Sequence, residues 1–239
     1  MNYKKLYVKI YDFFIDLKAF NIECIIETTL SMGGNYMQLI YKGQYKDESQ
    51  LPLGTLPENA VPFKEPKDLS QTNLYACIVI IPVLIIVGLF ILISYSSLGS
   101  QNLSHFSLGF SSLLGFIMFY IALPIHELLH AICFGKDAEV EFYYSLKDLA
   151  LFVVSTQPIT KRRFIFLSLL PNIVLAWIPF LLWVFIPMND FVSNFLFVMS
   201  LLLIISGVGD YLNAFNAIRQ MPKGTMQQLS GFHSFWYYL

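Results

Sequence analysis

Charged side chains are scarce in this 239-residue sequence: Asp, Glu, Lys and Arg make up 13% of it, while 56% is hydrophobic. A soluble domain normally carries about a quarter charged residues. The scarcity is uneven, because residues 69–126 and 164–188 contain no Asp, Glu, Lys or Arg at all. Uncharged apolar runs of about 18 or more residues are long enough to cross the hydrocarbon core of a bilayer. The composition therefore excludes an ordinary soluble domain and predicts an integral membrane protein whose main partner is the lipid bilayer.

Cysteine is also scarce, and its placement excludes two kinds of site. Cys24, Cys77 and Cys133 are odd in number and no two have CxxC spacing, which argues against a disulfide framework and a thiolate zinc site. The formal net charge of −1 attracts no polyanion, so we expect no nucleic-acid partner. Asp12 and Asp16 interrupt the apolar start, so no cleavable signal peptide is expected either.

The hydropathy pattern predicts an all-α polytopic membrane protein with about four transmembrane helices. We place the helices at about 74–95, 109–134, 164–187 and 191–218. Lys and Arg are concentrated before the first span, between the second and third, and after the fourth. The positive-inside rule therefore places both termini and the central loop in the cytoplasm. An even number of spans also requires both termini to lie on the same side of the membrane.

The polar parts of the chain predict a small amount of other structure. Residues 1–73 are interpreted as a small α+β cytoplasmic segment, and residues 74–239 as the membrane-embedded domain. Within the first segment and the central loop, the following elements are predicted: a helix at 3–20, a hairpin from runs 22–30 and 36–41, a proline-rich extended linker at 51–66, and a possible β-hairpin from runs 139–146 and 149–156.

The second predicted span ends in His126-Glu127-Leu128-Leu129-His130, an HExxH sequence. Residues four apart on a helix lie on one face, so both imidazoles can reach a single Zn²⁺. Glu127 flanks that position and is predicted to be the general base that takes a proton from the attacking water. A carboxylate within a membrane span is energetically costly and by default marks a functional site. The alternative is a set of polar residues that hydrogen-bond across the helix bundle.

A catalytic zinc usually has a third protein ligand and one open position. With a rise of about 1.5 Å per residue, Asp210 in the fourth span falls level with the histidine pair. His105 and Asp190 lie in predicted outer loops, and His233 could reach the site only if the tail folds back. Asp210 could instead pair with Asn213 within its own helix. We predict that Asn213 orients Asp210 as a hydrogen-bonding neighbour of the metal ligand.

Two further features of the spans bear on the site. Asn172, after Pro171, either lines the site or packs between helices. Ser206, Gly207 and Gly209 are small, which predicts a close approach of the fourth span to the second.

The motifs occur in an order that resembles a family of small bacterial membrane proteins regarded as zincin peptidases and otherwise without an assigned function. More distantly, the chain is similar to site-2 proteases, which cleave transmembrane or membrane-associated substrates. The resemblance implies His126, His130 and Asp210 as ligands and Glu127 as the base. One departure is that Gly209 precedes Asp210, whereas site-2 proteases have an Asp-Gly motif. The resemblance rests on these pieces: 56–61, 63–66, 124–130, 158–160, 168–171, 209–213 and 222–224.

These observations predict an intramembrane zinc metalloprotease that hydrolyses peptide bonds of membrane-associated protein or peptide substrates near the cytoplasmic face. The strand-like runs after His130 either hold the substrate by adding it as a further strand or form a hairpin that only packs against the helix bundle. The alternative function is a non-enzymatic metal-binding membrane protein, such as a regulator, an assembly factor or a transport subunit. Glu127 discriminates between them, because binding a metal needs the histidines but not the base.

Overall fold

The computed structural model describes residues 27–31, 36–65, 69–98, 109–148 and 150–239. The helix predicted at 3–20 lies outside these residues. In the described part, the helices are α1 (Leu69–Leu98), α2 (Phe110–Phe134), α3 (Lys161–Phe185), α4 (Asp190–Ser206) and α5 (Val208–Gln220).

Three of these helices, α1, α2 and α3, are each long and apolar enough to cross a membrane. Helices α4 and α5 pass the same test only as a pair, with a bend of 46° between them. The prediction of a mainly helical chain with about four candidate spans is thereby confirmed. The fourth candidate is a broken helix, where the sequence predicts a continuous one.

The break in the fourth candidate span lies at Gly207. Its N–H donates to the carbonyl of Leu203 at 3.1 Å, while its own carbonyl accepts from the N–H groups of Asp210 and Tyr211 at 3.1 and 3.2 Å. Gly207 thus ends α4 and begins α5 without leaving its backbone groups unpaired. Asp210 lies in the first turn of α5, where the partial positive charge of the helix N-terminus favours a carboxylate.

Helix α3 is also irregular. It runs as an α-helix over Lys161–Pro171, as a π-helix over Asn172–Trp177 and again as an α-helix over Ile178–Phe185. Proline has no N–H for the carbonyl four residues earlier, and its ring crowds that carbonyl. Pro171 therefore leaves the carbonyl of Leu167 without a helical donor at this position.

A first four-stranded sheet has the order β1-β2-β4-β5. The β1–β2 pair is antiparallel, as is the β4–β5 pair, so both predicted hairpins are confirmed. The parallel pairing of β2 with β4, which joins the two hairpins, was not predicted. The four strands are β1 (Glu27–Ser31), β2 (Tyr36–Gln44), β4 (Glu139–Ser145) and β5 (Ala150–Val154).

A second four-stranded sheet, of order β3-β8-β7-β6, corrects the all-α prediction further. Its centre is a C-terminal hairpin that turns at Gly231 and Phe232, where Gly231 has a φ of 61° that suits a tight hairpin turn. The predicted linker 51–66 contributes the edge strand β3. The strands are β3 (Val61–Pro62), β6 (Ile159–Thr160), β7 (Thr225–Ser230) and β8 (His233–Tyr238).

The first residues of α3 hold together the C-terminal ends of α2 and α5. Arg163 donates from Nε to the carbonyl of Cys133 in α2 at 2.6 Å. Lys161 donates to the carbonyls of Ile218 and Met221 at the end of α5. Cations are favourable at helix C-termini, where the last carbonyls lack helical partners. These contacts bring the ends of α2, α3 and α5 together, and the candidate site lies between the same three helices.

Candidate metal centre

Three side chains with metal-binding atoms meet between α2 and α5. They are His126 and His130 in α2 and Asp210 in α5, and their ligand atoms all lie within 4.8 Å of one another. Both histidines are only 6% exposed. No other cluster of three or more His, Cys, Asp or Glu side chains with this geometry occurs among the described residues.

The carboxylate of Asp210 faces both imidazoles, one with each oxygen. Nε2 of His126 lies 2.9 Å from Oδ2, and Nε2 of His130 lies 3.1 Å from Oδ1. The two imidazole rings have centroids 4.8 Å apart and are inclined by 75°. The helical spacing of four residues thus places both Nε2 atoms on the side of α2 that faces Asp210, as predicted.

The other ring nitrogen of His130 shows which atom is free for a metal ion. Nδ1 lies 2.9 Å from the carbonyl oxygen of Leu167 in α3. A carbonyl can only accept, so Nδ1 carries the proton, and Nε2 of the neutral ring has a lone pair. That lone pair faces a carboxylate oxygen at 3.1 Å. Two acceptors this close require either a proton shared between them or a metal ion.

This donor set fits Zn²⁺. Two imidazole nitrogens and one carboxylate make up one of the common three-ligand sets of catalytic zinc sites. A histidine ligand usually donates its second N–H to a carboxylate, a backbone carbonyl or water, as His130 does to Leu167.

Asn172 holds the carboxylate of Asp210 from the side of α3. Its Nδ2 donates to Oδ2 of Asp210 at 2.7 Å, and the side chain is 1% exposed. The structure thus places the amide of Asn172 at the site, which was one of the two alternatives left open for this residue. Asn213, predicted to orient Asp210, is exposed on α5. The amide that donates to Asp210 comes from the neighbouring helix α3, and the orienting role of Asn213 stays a prediction.

Glu127 lies half-buried between α2 and the edge strand β5. The backbone N–H of Val153 in β5 is directed at its carboxylate as a hydrogen-bond donor. The base predicted from the sequence is therefore next to the two histidines in α2 and beside a strand edge.

The prediction that small residues bring the fourth span against the second is wrong for Gly207 and Gly209. The space beside Gly207 is filled by Asn172 of α3, and nothing lies within 4 Å of a Cβ added at Gly209. Helices α2 and α4 do approach closely, but at Gly115, where an added Cβ would lie 2.6 Å from the carbonyl oxygen of Phe195.

The remaining candidate ligands lie elsewhere. His233 is in β8 with Nδ1 at 3.7 Å from Glu65, and Asp190 is in the first turn of α4. His105 lies outside the described residues. The sequence reasoning missed the carbonyl of Leu167, although Pro171, four residues later, is the signal that this carbonyl has no donor within its helix.

Comparison with known proteins agrees with the resemblance seen in the motifs. Residues 119–226 match the model of a family described as "Putative zincin peptidase". No curated protein and no solved structure matches the chain. The matched residues include His126, His130 and Asp210, so the part of the chain that carries the candidate site is similar to this family.

Proposed function

We propose that the protein is a membrane-embedded zinc metallopeptidase that hydrolyses peptide bonds of membrane-associated substrates near the cytoplasmic face. The observation that carries the proposal is the meeting of His126, His130 and Asp210 beside Glu127. His126, Glu127 and His130 lie in a helix long and apolar enough to cross a membrane, and Asp210 lies in the bent α4–α5 pair, which passes that test as a pair. A binding site alone would need no carboxylate next to the ligands, whereas a hydrolase needs a base there.

His126 and His130 would hold Zn²⁺ through their Nε2 atoms, together with the carboxylate of Asp210. When bound, the zinc would act as a Lewis acid that polarises the scissile carbonyl and makes a water more acidic. The hydrogen bond from His130 to Leu167 keeps Nε2 unprotonated and correctly oriented for this role.

Glu127 would move the proton. Its carboxylate takes a proton from the attacking water and delivers it to the nitrogen of the leaving amine, so that the residue is unchanged after one turnover. Glu127 is half-buried, so part of the residue remains accessible to water.

In the proposed membrane arrangement, α1, α2, α3 and the α4–α5 pair cross the bilayer. The lysines and arginines at the start of α3 then lie at the cytoplasmic surface, in keeping with the positive-inside rule. Arg163 contacts the end of α2 only three residues beyond His130, at Cys133. The metal centre therefore lies in the cytoplasmic half of the membrane.

The strand β5 is the proposed holder of the substrate. An extended peptide can add to a free sheet edge through backbone hydrogen bonds, and hydrolysis requires an extended, accessible peptide bond. Strand β4 pairs with β2 on one side and β5 on the other, whereas β5 pairs only with β4 among the described residues. At Val153 the outer edge of β5 faces Glu127, to which its N–H donates, so a peptide that added to this edge would replace that hydrogen bond and pass the site.

The experiment that tests the peptidase activity compares the membrane proteins of cells that produce the wild-type protein, the Glu127→Gln variant or neither. Glutamine is similar in size to glutamate but is not a base. We expect Glu127→Gln to keep its zinc and to leave intact membrane proteins that the wild type cleaves, as in cells without the protein. If cells with Glu127→Gln show the same pattern of membrane proteins as cells with the wild type, and a different pattern from cells without the protein, the function is non-enzymatic metal binding.

The substrate edge has its own test, once a cleaved protein is known. Val153→Pro removes the N–H that points away from β4, so the sheet can remain paired while the free edge is blocked. We expect it to abolish cleavage with zinc content unchanged, and Val153→Ala, which keeps the N–H, to cleave normally. Cleavage by Val153→Pro at the wild-type rate would show that the substrate is held elsewhere.

A further inference from the structure

The consecutive residues Pro171 and Asn172 act on two different ligands of the site. Pro171 follows Leu167 by four residues and cannot donate to its carbonyl, and this carbonyl accepts from Nδ1 of His130 at 2.9 Å. Asn172 donates to Oδ2 of Asp210 at 2.7 Å. We propose that Pro171 and Asn172 are the positioning residues of the metal centre, which orient one histidine and one carboxylate from a helix that supplies no ligand.

The role of Pro171 follows from the hydrogen bonds of an α-helix. Any other residue at position 171 would offer its N–H to the carbonyl of Leu167 and compete with His130 for it. Loss of the hydrogen bond to Leu167 would free the imidazole to rotate or to carry its proton on Nε2, which cannot then bind a metal. The proline thus acts on His130 through a carbonyl that it leaves available.

The π-helix explains how α3 contacts two successive residues of α5. Trp177 donates from Nε1 to the hydroxyl oxygen of Tyr211 at 3.0 Å, five residues after Asn172 contacts Asp210. In an α-helix of about 3.6 residues per turn, residues five apart point in clearly different directions. In a π-helix, which is bonded from i to i+5, they lie nearly on one face. The π-helix therefore lets Asn172 and Trp177 fix the rotation of α5 at two points.

The buried environment of Asn172 supports a specific orientation. Its Oδ1 is buried without a hydrogen-bond partner and lies against Gly207, where an added Cβ would be 1.6 Å away. An unpaired buried acceptor lowers stability. A residue selected for stability alone would not need this amide, whereas its Nδ2 supplies the hydrogen bond to Asp210.

The inference rests on the proposed zinc site, and its test measures metal affinity in addition to stability. Zn²⁺ and Co²⁺ affinities and thermal unfolding without metal are measured for purified full-length wild type, Pro171→Ala and Asn172→Ala. Neighbouring residues that orient ligands typically contribute about 10–100-fold to metal affinity. We expect losses of this size in both variants, with a changed Co²⁺ absorption spectrum.

Stability separates positioning from a structural role. Alanine is a better helix former than proline, so Pro171→Ala should unfold at the same or a higher temperature while its zinc affinity falls. Pro82→Ala is the matched control, because Pro82 lies within α1, which carries no ligand, and its affinity should equal that of the wild type. Wild-type affinity in both Pro171→Ala and Asn172→Ala would overturn the inference but leave the metal site standing. Absence of zinc binding in the wild type would instead refute the proposed site itself.

Discussion

Asn172 and Gly207 are packed so closely that a Cβ added at Gly207 would fall 1.6 Å from Oδ1 of Asn172. Gly207→Ala should therefore push the asparagine away from Asp210, because overpacking of a buried contact typically costs about 1–3 kcal/mol. We expect a lower unfolding temperature in detergent and weaker zinc binding. The matched control is Gly209→Ala, two residues on, where an added Cβ meets nothing within 4 Å. Equal behaviour of the two variants would contradict this account of the contact.

The close approach of α2 and α4 gives a second pair of variants. A Cβ at Gly115 would lie 2.6 Å from the backbone carbonyl of Phe195, and a backbone cannot move aside as a flexible side chain can. Gly115→Ala should lower the unfolding temperature, again by overpacking. Gly88→Ala, in α1 with open space around it, should not. A stable Gly115→Ala would mean that α2 and α4 lie further apart than described.

The carboxyl group of Glu65 predicts a dependence of stability on pH. Burial raises the pKa of Glu65 to about 7. The hydrogen bond that its carboxylate accepts from the N–H of Ser234 at 2.6 Å acts in the opposite direction but is the smaller effect. A carboxyl group with a pKa raised in the folded state favours folding at low pH. Its contribution to stability is full below the unfolded pKa of 4.5 and is lost as the pH rises through about 7.

Glu65→Gln removes this ionisation but keeps an oxygen that accepts from Ser234. The variant should therefore be more stable than the wild type at about pH 8.5, by at most about 3 kcal/mol, and should gain little at about pH 5. Thermal unfolding of both proteins across this range measures the difference. The prediction fails if the gap between the two proteins is constant with pH or grows towards low pH.

The proposed membrane topology predicts where single cysteines react. In a background without Cys24, Cys77 and Cys133, a cysteine at Ser100 should react with an impermeant reagent from outside the cell. Cysteines at Lys147 and Lys223 should react only after the membrane is opened, because the lysine- and arginine-rich segments are placed inside. Labelling of Ser100 from the cytoplasm would reverse the orientation.

Much of the site was predictable because its information is local. The spacing of His126 and His130 places them on one helical face, and the rise per residue places Asp210 at their depth; the structure brings the three together. The orienting amide was not predictable in the same way. Whether Asn172 or Asn213 reaches Asp210 depends on how α3 and α5 are rotated against each other, and a π-helix in α3 sets that rotation.

In the two sheets, too, local pairings could be predicted from the sequence and long-range pairings could not. Both predicted hairpins pair neighbouring segments and leave a pattern of alternation and turn residues in the sequence. The parallel pairing of Gln38 with Glu139 in the first sheet and the antiparallel pairing of Val61 with Trp236 in the second each join segments more than a hundred residues apart. Such pairs are selected by the packing of the whole chain and leave no local pattern. The second sheet was not predicted from the sequence for this reason.

The zinc content of the purified protein tests the central claim most directly. Metal analysis should give about one zinc per chain for the wild type and for Glu127→Gln, since three side chains hold the ion and the base does not. The His126→Ala/His130→Ala double variant should contain almost none. Full zinc in the double variant, or none in a folded wild type supplied with zinc, would contradict the metal centre described here.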